Sequence, residues 1–451
     1  MSEVYRELKT VARLSLPVVL TQIGMMLTGV VDTMMVGRLG VRELAASALA
    51  NMWQWTLLSF ALGVVMGIDP LISQAHGRGD GAGAARALQA GVVLALVVSV
   101  PVTAGMALTE PALVLLGQDP AIAHLSGIYN FWKLATPACF LVYSAMRQYL
   151  QGRTLMSAAT WVIWIANVAH VALNYALIFG RLGAPALGLA GAAIATSVTV
   201  FLMVLGLWLW IVAFRLHEDA WVPWDRESLA PRRLWRAARL GLSVGAQVAL
   251  EAWAFSIATM MAGWLGTREV SGNQVVLNLA SLAFMVPLGV AQGASARVGN
   301  LVGAQDLLGM RRAVRISLVL GAGVMCLSAS VFTLARFELP RLYTSDPEVI
   351  ALAAGLLPLA AAFQLSDGTQ VVAGGLLRGM ARPERAAMAN LLGYYAVGLP
   401  LGYLLGFRFH LGLVGIWLGL VAGLTVVAGT LLVWVRSTSR RPLSELAVST
   451  D

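Results

Sequence analysis

Charged residues are scarce in this sequence. Only 12% of its 451 residues are Asp, Glu, Lys or Arg, whereas soluble domains carry about 25%. Hydrophobic residues make up 59%, and the mean hydropathy is +0.78. They occur in runs of about 20 residues or more, which is long enough to cross the hydrocarbon core of a bilayer. We therefore expect an integral membrane protein, because a soluble enzyme would need the charged surface that is missing here.

Cysteine and histidine are also rare, which excludes several kinds of site. The two cysteines, Cys139 and Cys326, lie inside apolar runs, so neither a disulfide framework nor a cysteine metal site is expected. The five histidines are spread over different loops and spans and form no cluster for a catalytic metal. The sequence has no Walker-type phosphate-binding motif, so direct use of ATP is not indicated. We expect no cofactor and no enzymatic activity.

The apolar runs predict twelve membrane-spanning helices. The first run begins at Leu14 and is too long for the core of a cleavable signal peptide, so we expect it to remain as the first helix. The twelve spans are 14–36, 44–70, 84–108, 121–147, 157–179, 186–214, 239–265, 270–296, 313–335, 349–377, 386–407 and 411–435.

Basic residues are distributed unequally between the two sides of these spans. With the N-terminus inside, the inner side carries 23 Lys and Arg and the outer side 7. This is the positive-inside pattern, so we predict that both termini are cytoplasmic in a bacterial inner membrane. The net charge of +9 is thereby explained by topology and anionic lipid headgroups, without nucleic acid.

The two halves of the sequence repeat. The motif ARLSLPV at 12–18 aligns with ARLGLSV at 238–244, and in the same register GRLGVREL at 37–44 falls on GWLGTREV at 263–270. After a slip of a single position, QDP at 118–120 falls on SDP at 345–347. We predict a six-helix lobe at 1–214, a cytoplasmic linker at 215–236 and a second six-helix lobe at 237–451.

The number of spans per half fixes the kind of symmetry. Six is even, so both lobes have the same orientation, and their pseudo-twofold axis runs along the membrane normal as a parallel repeat. The predicted fold class is therefore an all-α integral membrane protein with twelve transmembrane helices in two related lobes. Such an arrangement suits alternating access. Pro17 interrupts the first span where the repeat has Ser243, so Pro17 is the candidate gating residue.

Three acidic residues lie well inside predicted spans, where a charge is costly and usually functional. They are Asp32, Glu251 and Asp367, whereas a fourth, Asp69 at the inner end of the second span, is interpreted as an end-cap or loop contact. None has an acidic counterpart in the repeat, so they are not scaffold common to both lobes. A buried basic partner would be the structural alternative, and Lys133 is the one basic residue well inside a span. The sequence does not identify the partner of Lys133.

Aromatic residues near two of these acids, and polar residues of the fifth span, are further candidates for the sites. Phe255 follows Glu251 and Phe363 precedes Asp367 by one helical turn, and an aromatic face beside a carboxylate can hold an organic cation. In the fifth span, Asn167, His170 and Asn174 either complete a polar site with Asp32 or hydrogen-bond to neighbouring helices.

The sequence resembles the multidrug and toxic compound extrusion (MATE) transporters, in particular the NorM-type bacterial branch. The resemblance is carried by LPVVLTQ at 16–22, VDTMMVGRLG at 31–40, LQG at 150–152 with LRG at 377–379, and the joint placement of Asp32, Glu251 and Asp367. It implies two lobes around a central cavity and export of cationic drugs against Na⁺ or H⁺. It also implies a Na⁺ site at Glu251 and Asp367, with Asp32 governing coupling. Phe363 replaces a tyrosine found in some relatives, which leaves the coupling ion open.

Other functions fit the residues less well. A lipid-linked or polysaccharide flippase could share the architecture, but we would expect a basic central cavity for its anionic substrates. A membrane enzyme would need clustered catalytic groups at the membrane surface. We therefore expect a secondary antiporter whose partners are small organic cations and the lipid bilayer, with no obligate protein partner. Substrate identity, stoichiometry and oligomeric state are not readable from the residues.

Overall fold

The computed structural model describes residues 3–448, and within that range the chain is helical without β-strands. The helices are α1 Glu3–Val36, α2 Val41–Met66, α3 Asp69–Gly77, α4 Gly81–Ala107, α5 Thr109–Leu115, α6 Pro120–Phe131, α7 Thr136–Gly152, α8 Ser157–Phe179, α9 Gly188–Ala213, α10 Pro231–Leu265, α11 Thr267–Gly303, α12 Leu307–Leu334, α13 Glu338–Arg341, α14 Pro347–Gly379, α15 Pro383–Asn390, α16 Leu399–Tyr403, α17 Gly412–Thr438 and α18 Leu443–Leu446. Two π-helical segments, Leu391–Gly398 and Leu404–Arg408, flank α16. The all-α prediction is confirmed.

Within residues 3–448, eleven helical stretches are long and apolar enough to cross a membrane, with α2 and α3 forming one of them. The remaining predicted span, 121–147, is interrupted: α6 ends at Phe131 and α7 begins at Thr136. Pro137 occupies the first turn of α7, where its missing N–H is tolerated and its ring restricts the preceding backbone. The break places Lys133 in a turn between two helices.

The sequence repeat is also present in the aspartates that cap the first turns of helices. Asp80 caps α4 by accepting from Gly83 N at 2.7 Å, and Asp306, its counterpart in the repeat, caps α12 by accepting from Gly309 N at 2.8 Å. Asp119 and Asp346, the aspartates of the QDP and SDP motifs, cap α6 and α14 in the same way. Carboxylates satisfy the free N–H groups of a first turn, so each pair starts equivalent helices at equivalent positions.

Contacts divide the chain into two compact units. One consists of α1 as far as Val19 together with the chain from Ala246 onward, and the other is Leu20–Gly245. The first unit therefore includes the start of α1, which comes from the N-terminal half of the sequence. The second unit includes the start of α10, residues 231–245, which comes from the C-terminal half. The lobe bounds 1–214 and 237–451 remain a prediction about the sequence repeat.

Small residues allow this packing within each unit. A Cβ atom added to Gly67 would lie 2.3 Å from Gly241 Cα, and one added to Gly63 would lie 2.6 Å from Gly245 Cα. In the other unit, a Cβ atom added to Gly289 of α11 would lie 2.8 Å from Val19 N, and one added to Gly293 would lie 3.1 Å from Ser15 Cα. Membrane helices use such small residues to bring their backbones together. The close contacts of one unit thus occupy the same positions in the repeat as those of the other.

The predicted linker at 215–236 is fixed to the Leu20–Gly245 unit. α10 begins at Pro231, so the end of the linker is helical. The turns before it are held by α7: Arg153, which is 3% exposed, pairs with Asp219, and Tyr149 donates to Ala220 O at 2.6 Å. These buried polar contacts make the segment a packed part of the fold.

Candidate functional sites

Asp32 lies in a buried cluster of hydrogen-bond donors. α1 supplies Asp32, which is 7% exposed, and α8 supplies His170 and Asn174, which share a face four residues apart. His170 Nε2 lies 2.8 Å and Asn174 Nδ2 lies 2.7 Å from Asp32 Oδ1. From α9, the Thr196 hydroxyl donates to Oδ2 at 3.0 Å. Of the alternatives left by the sequence for His170 and Asn174, the structure shows the polar site with Asp32.

His170 joins Asp32 to a hydroxyl group of α9. Its Nδ1 lies 2.9 Å from the Thr199 hydroxyl, which also lies 2.7 Å from Ala195 O. Its Nε2 lies 2.8 Å from Asp32 Oδ1 and 3.1 Å from Asn174 Nδ2. The contact between Nε2 and Oδ1 has one proton between the two atoms, since otherwise two lone pairs would face each other.

Asn167 and Lys133 lie near this cluster but do not bind Asp32. Asn167 donates to Gly24 O at 2.9 Å and accepts from Thr28 at 2.8 Å, so it joins α8 to α1. Lys133 donates to Asn51 Oδ1 at 2.8 Å and lies within electrostatic range of Asp32. The partner that the sequence left open for Lys133 is therefore an asparagine.

Glu251 and Asp367 meet at one amide group in the other unit. Gln370 Nε2 of α14 donates to Glu251 Oε1 at 3.1 Å and to Asp367 Oδ1 at 3.3 Å. Asp367 is 6% exposed, whereas Glu251 of α10 is partly exposed. Two carboxylates that share one donor repel each other, so this arrangement favours a cation or a proton at the same place.

The surroundings of these two acids contain three buried oxygen atoms without a hydrogen-bond partner in the described part of the chain. Gln370 Oε1, Asn390 Oδ1 and the Tyr394 hydroxyl are buried and have no hydrogen-bond partner within residues 3–448. Both acids lie within electrostatic range of Tyr394, and Asn390 interacts with Glu251. Carboxylate, amide and hydroxyl oxygens are the ligands of hard cations. The residues present therefore suit a cation such as Na⁺ as the transported ion.

Gln370, Asn390 and Tyr394 were missed by the sequence analysis. Uncharged polar residues are common in membrane helices, so these three give no signal of the kind that marks a buried acid. Tyr394 lies in the π-helical segment Leu391–Gly398, and π-helical turns are frequent at functional sites. Gln370 lies three positions after Asp367, and that spacing on one helical face was the available clue.

The two predicted aromatic residues belong to one aromatic cluster but differ in exposure. Phe363 packs between Phe255, with ring centroids 5.8 Å apart, and Trp417, 5.6 Å away. Tyr394 packs on Phe255 at 5.9 Å. Phe363 is only 2% exposed, whereas Phe255 is partly exposed. Phe255 is thus the one of the two that can face a ligand without repacking, and Phe363 supports it.

Besides Lys133, two basic residues at the ends of predicted spans are buried. Arg147 in α7 is 6% exposed and Arg378 in α14 is 4% exposed, although both were assigned to loop ends. Arg147 donates to Gln22 Oε1 at 2.8 Å, and Arg378 lies within electrostatic range of Glu251. Both arginines lie near the ends of their helices, where a long side chain can extend away from the lipid.

The chain can now be compared with known proteins. The family model MatE matches it twice, at residues 17–176 and 244–404. The chain belongs to the MatE family. The two matches are offset by about the length of the repeat and confirm that each half is one copy of the family's unit, as the sequence predicted.

Relatives in the MatE family match nearly the whole chain. The probable multidrug resistance protein NorM of Mesorhizobium japonicum is 34% identical over 96% of this chain and 94% of its own length. The multidrug resistance protein NorM of Vibrio cholerae is 31% identical, with coverages of 96% and 97%. The resemblance to the NorM-type branch is therefore confirmed.

Solved structures show the same fold. The eukaryotic MATE transporter AtDTX14 matches with a TM-score of 0.91 at 24% identity, covering 99% of this chain and all of that one. A mutant of the Vibrio cholerae MATE transporter VcmN gives 0.87 at 21% identity, with coverages of 98% and 99%. The chain is thus a multi-pass membrane protein with the fold of this transporter family.

Proposed function

We propose that this protein is an antiporter that exports cationic or amphipathic drugs in exchange for an inward-moving Na⁺ or H⁺. Its relatives carry the name multidrug resistance protein, and the three intramembrane acids provide negative charge for cations. The expected alternatives, a flippase or a membrane enzyme, receive no support from the two sites, because both are built around carboxyl groups in helices.

The choice of coupling ion rests on a difference in hydrogen bonding between the two carboxyl sites. Asp32 receives hydrogen bonds from Asn174 and Thr196 and shares a proton with His170. Glu251 and Asp367 share the donor of Gln370, Asn390 interacts with Glu251, and three oxygen atoms beside them have no hydrogen-bond partner within residues 3–448. A donor-rich site satisfies a carboxyl group by itself, whereas an acceptor-rich site needs a cation. We therefore assign Na⁺ to Glu251 and Asp367 as the first choice.

The proton is the second candidate, and the Asp32–His170 contact favours it. That pair already holds one proton in a buried place, so its loss and recovery could accompany transport. For either ion the driving force is adequate: one elementary charge crossing 100 mV releases about 2.3 kcal/mol. This equals nearly two powers of ten in substrate concentration at about 1.4 kcal/mol each. Antiport further requires that ion and drug weaken each other's binding, and linkage makes this antagonism reciprocal.

The test separates the two ions in proteoliposomes that contain the purified protein and a fluorescent organic cation. We expect an imposed Na⁺ gradient to drive its movement, and Glu251→Gln and Asp367→Asn each to abolish most of that Na⁺ response. Because the two acids form one site, the double variant should be little worse than either single variant. Glu348→Gln is the matched control, since Glu348 is on the same helix as Asp367 but 71% exposed.

Three outcomes are decisive. A response to a proton gradient alone would reject Na⁺ and leave H⁺ as the coupling ion. Independent, additive effects of the two substitutions would reject the shared site. No movement of any organic cation under either gradient, in protein shown to be folded, would reject drug export itself.

A further inference from the structure

A groove that combines arginines with apolar side chains lies outside both carboxyl sites. It runs between the first turns of α1 and α12 and encloses about 570 Å³, with Val4, Leu8, Arg311, Arg312, Arg315 and Val319 among its lining residues. Ligand-binding clefts have volumes in this range. The groove is therefore large enough for part of a lipid-sized molecule.

The side chains on α12 change character along the helix axis. Arg311 and Arg315 are one turn apart on the same face, and Val319 lies one further turn from the helix start. Val319 is 73% exposed, and across the groove Val4 is 58% exposed. Apolar side chains that remain exposed beside arginines at the end of a membrane helix are typical of the boundary between headgroups and acyl chains.

The three arginines differ in how far the protein already neutralises them. Arg311 donates to the carbonyl of Ser439 at 2.9 Å, which holds its guanidinium in place. Arg312 pairs with Glu3. Arg315 has no hydrogen bond or ion pair within residues 3–448. Three guanidinium groups and one carboxylate leave an excess positive charge in the groove, and Arg315 is the free donor.

We propose that this groove binds an anionic phospholipid, with the phosphate on Arg312 and Arg315 and an acyl chain along Leu8 and Val319. Guanidinium groups bind phosphate oxygens through paired charge-assisted hydrogen bonds, and basic pockets beside membrane helices bind anionic headgroups. A free phosphate would use only the arginines and leave the apolar half of the groove without a partner. The occupant is therefore a lipid and not a soluble anion.

The test is native mass spectrometry of the full-length protein in detergent, titrated with dioleoyl phosphatidylglycerol or dioleoyl phosphatidylcholine. We expect phosphatidylglycerol to bind more tightly, and Arg315→Gln to weaken it about fivefold. This factor corresponds to roughly 1 kcal/mol per basic residue near an anionic lipid. Glu3→Gln should strengthen binding by a similar factor, because it releases Arg312 from its acidic partner.

Arg436→Gln is the matched control, because Arg436 is an exposed arginine in the last turn of α17 within the same unit. It should leave binding unchanged. Equal losses in Arg315→Gln and Arg436→Gln would mean diffuse attraction to a basic surface and would overturn the site. Displacement of the lipid by an equal concentration of glycerol 3-phosphate would show a phosphate site without the lipid. The readout does not depend on transport, so it holds or fails independently of the proposed antiport.

Discussion

At the scale of single residues, the donors around Asp32 decide what its carboxyl group can do. Asn174 and Thr196 donate to its two oxygens, and His170 shares a proton with it. These hydrogen bonds fix the position of the carboxyl group between α8 and α9.

Asp32→Asn should abolish drug export while the protein remains folded. The amide nearly preserves the shape of the side chain, but it cannot release or take up a proton. The measurement is efflux of a fluorescent cation by cells that express equal amounts of the variant and the original protein. Asn167→Ala is the control on α8: it removes the hydrogen bonds of Asn167 to Gly24 O and Thr28, costs about 1 kcal/mol of stability and should preserve export per folded molecule. Full export by Asp32→Asn would remove Asp32 from the mechanism.

Tyr394→Phe should weaken Na⁺ binding about tenfold, which corresponds to about 1.4 kcal/mol. The substitution keeps the ring that packs on Phe255 and removes only the buried hydroxyl oxygen near both carboxylates. Isothermal titration of the purified protein with Na⁺ measures the effect. Tyr395→Phe is the control, because the Tyr395 hydroxyl is already used in a hydrogen bond to Leu250 O at 3.1 Å. If both variants bind Na⁺ like the original protein, Tyr394 is not a ligand.

The residues found from the sequence and those missed differ in a physical way. Asp32, Glu251 and Asp367 stand out because an ionisable group in hydrocarbon is costly. Gln370 and Tyr394 are uncharged and carry no such cost, so only their position in space reveals them. The contact of Asp32 with His170 joins positions 138 residues apart, which no local pattern encodes.

At the scale of helices, hydropathy located the spans but not their interruptions or full lengths. α1 starts at Glu3, eleven residues before the predicted Leu14, because Glu7 pairs with Arg297 at 2.7 Å and so satisfies charge outside the apolar run. The break at Lys133 was missed because residues 121–147 contain no acidic residue and only Lys133 and the terminal Arg147 as Lys or Arg, so their average hydropathy is that of one span. Helix extension by ion pairs depends on partners that a hydropathy window does not contain.

Gly67→Ala should destabilise the protein more than a glycine substitution in an unpacked position. Its Cβ would lie 2.3 Å from the backbone of Gly241, and backbone on both sides cannot move as a side chain can. Overpacking typically costs about 1–3 kcal/mol, and we expect at least the upper end of this range. Thermal unfolding in detergent measures it. Gly429→Ala in α17 is the control, because its Cβ would meet nothing within 4 Å. Equal melting temperatures for both variants would contradict close packing at Gly67.

At the scale of the whole molecule, the sequence repeat and the compact units follow one register. The unit boundaries lie after Val19 and after Gly245, and these two residues correspond in the same register that aligns ARLSLPV with ARLGLSV. The register could be read from the sequence. The sequence does not show that each unit includes the beginning of the other half's first helix. Nothing in the motif ARLSLPV identifies the glycine pair against which that motif packs.

The last prediction concerns the side of the membrane on which α1 begins and α17 ends. Glu3 pairs with Arg312, and Arg311 binds the Ser439 carbonyl, so both ends meet the start of α12 in one unit. The loops assigned to that side carry 23 basic residues against 7 on the other, which predicts a cytoplasmic location. Green fluorescent protein fused after Val448 should fluoresce, whereas alkaline phosphatase at that point should be inactive. Phosphatase inserted after Gly183, between α8 and α9, should be active because it lies on the opposite side. The reverse pattern would invert the topology, and with it the direction in which a Na⁺ gradient drives export.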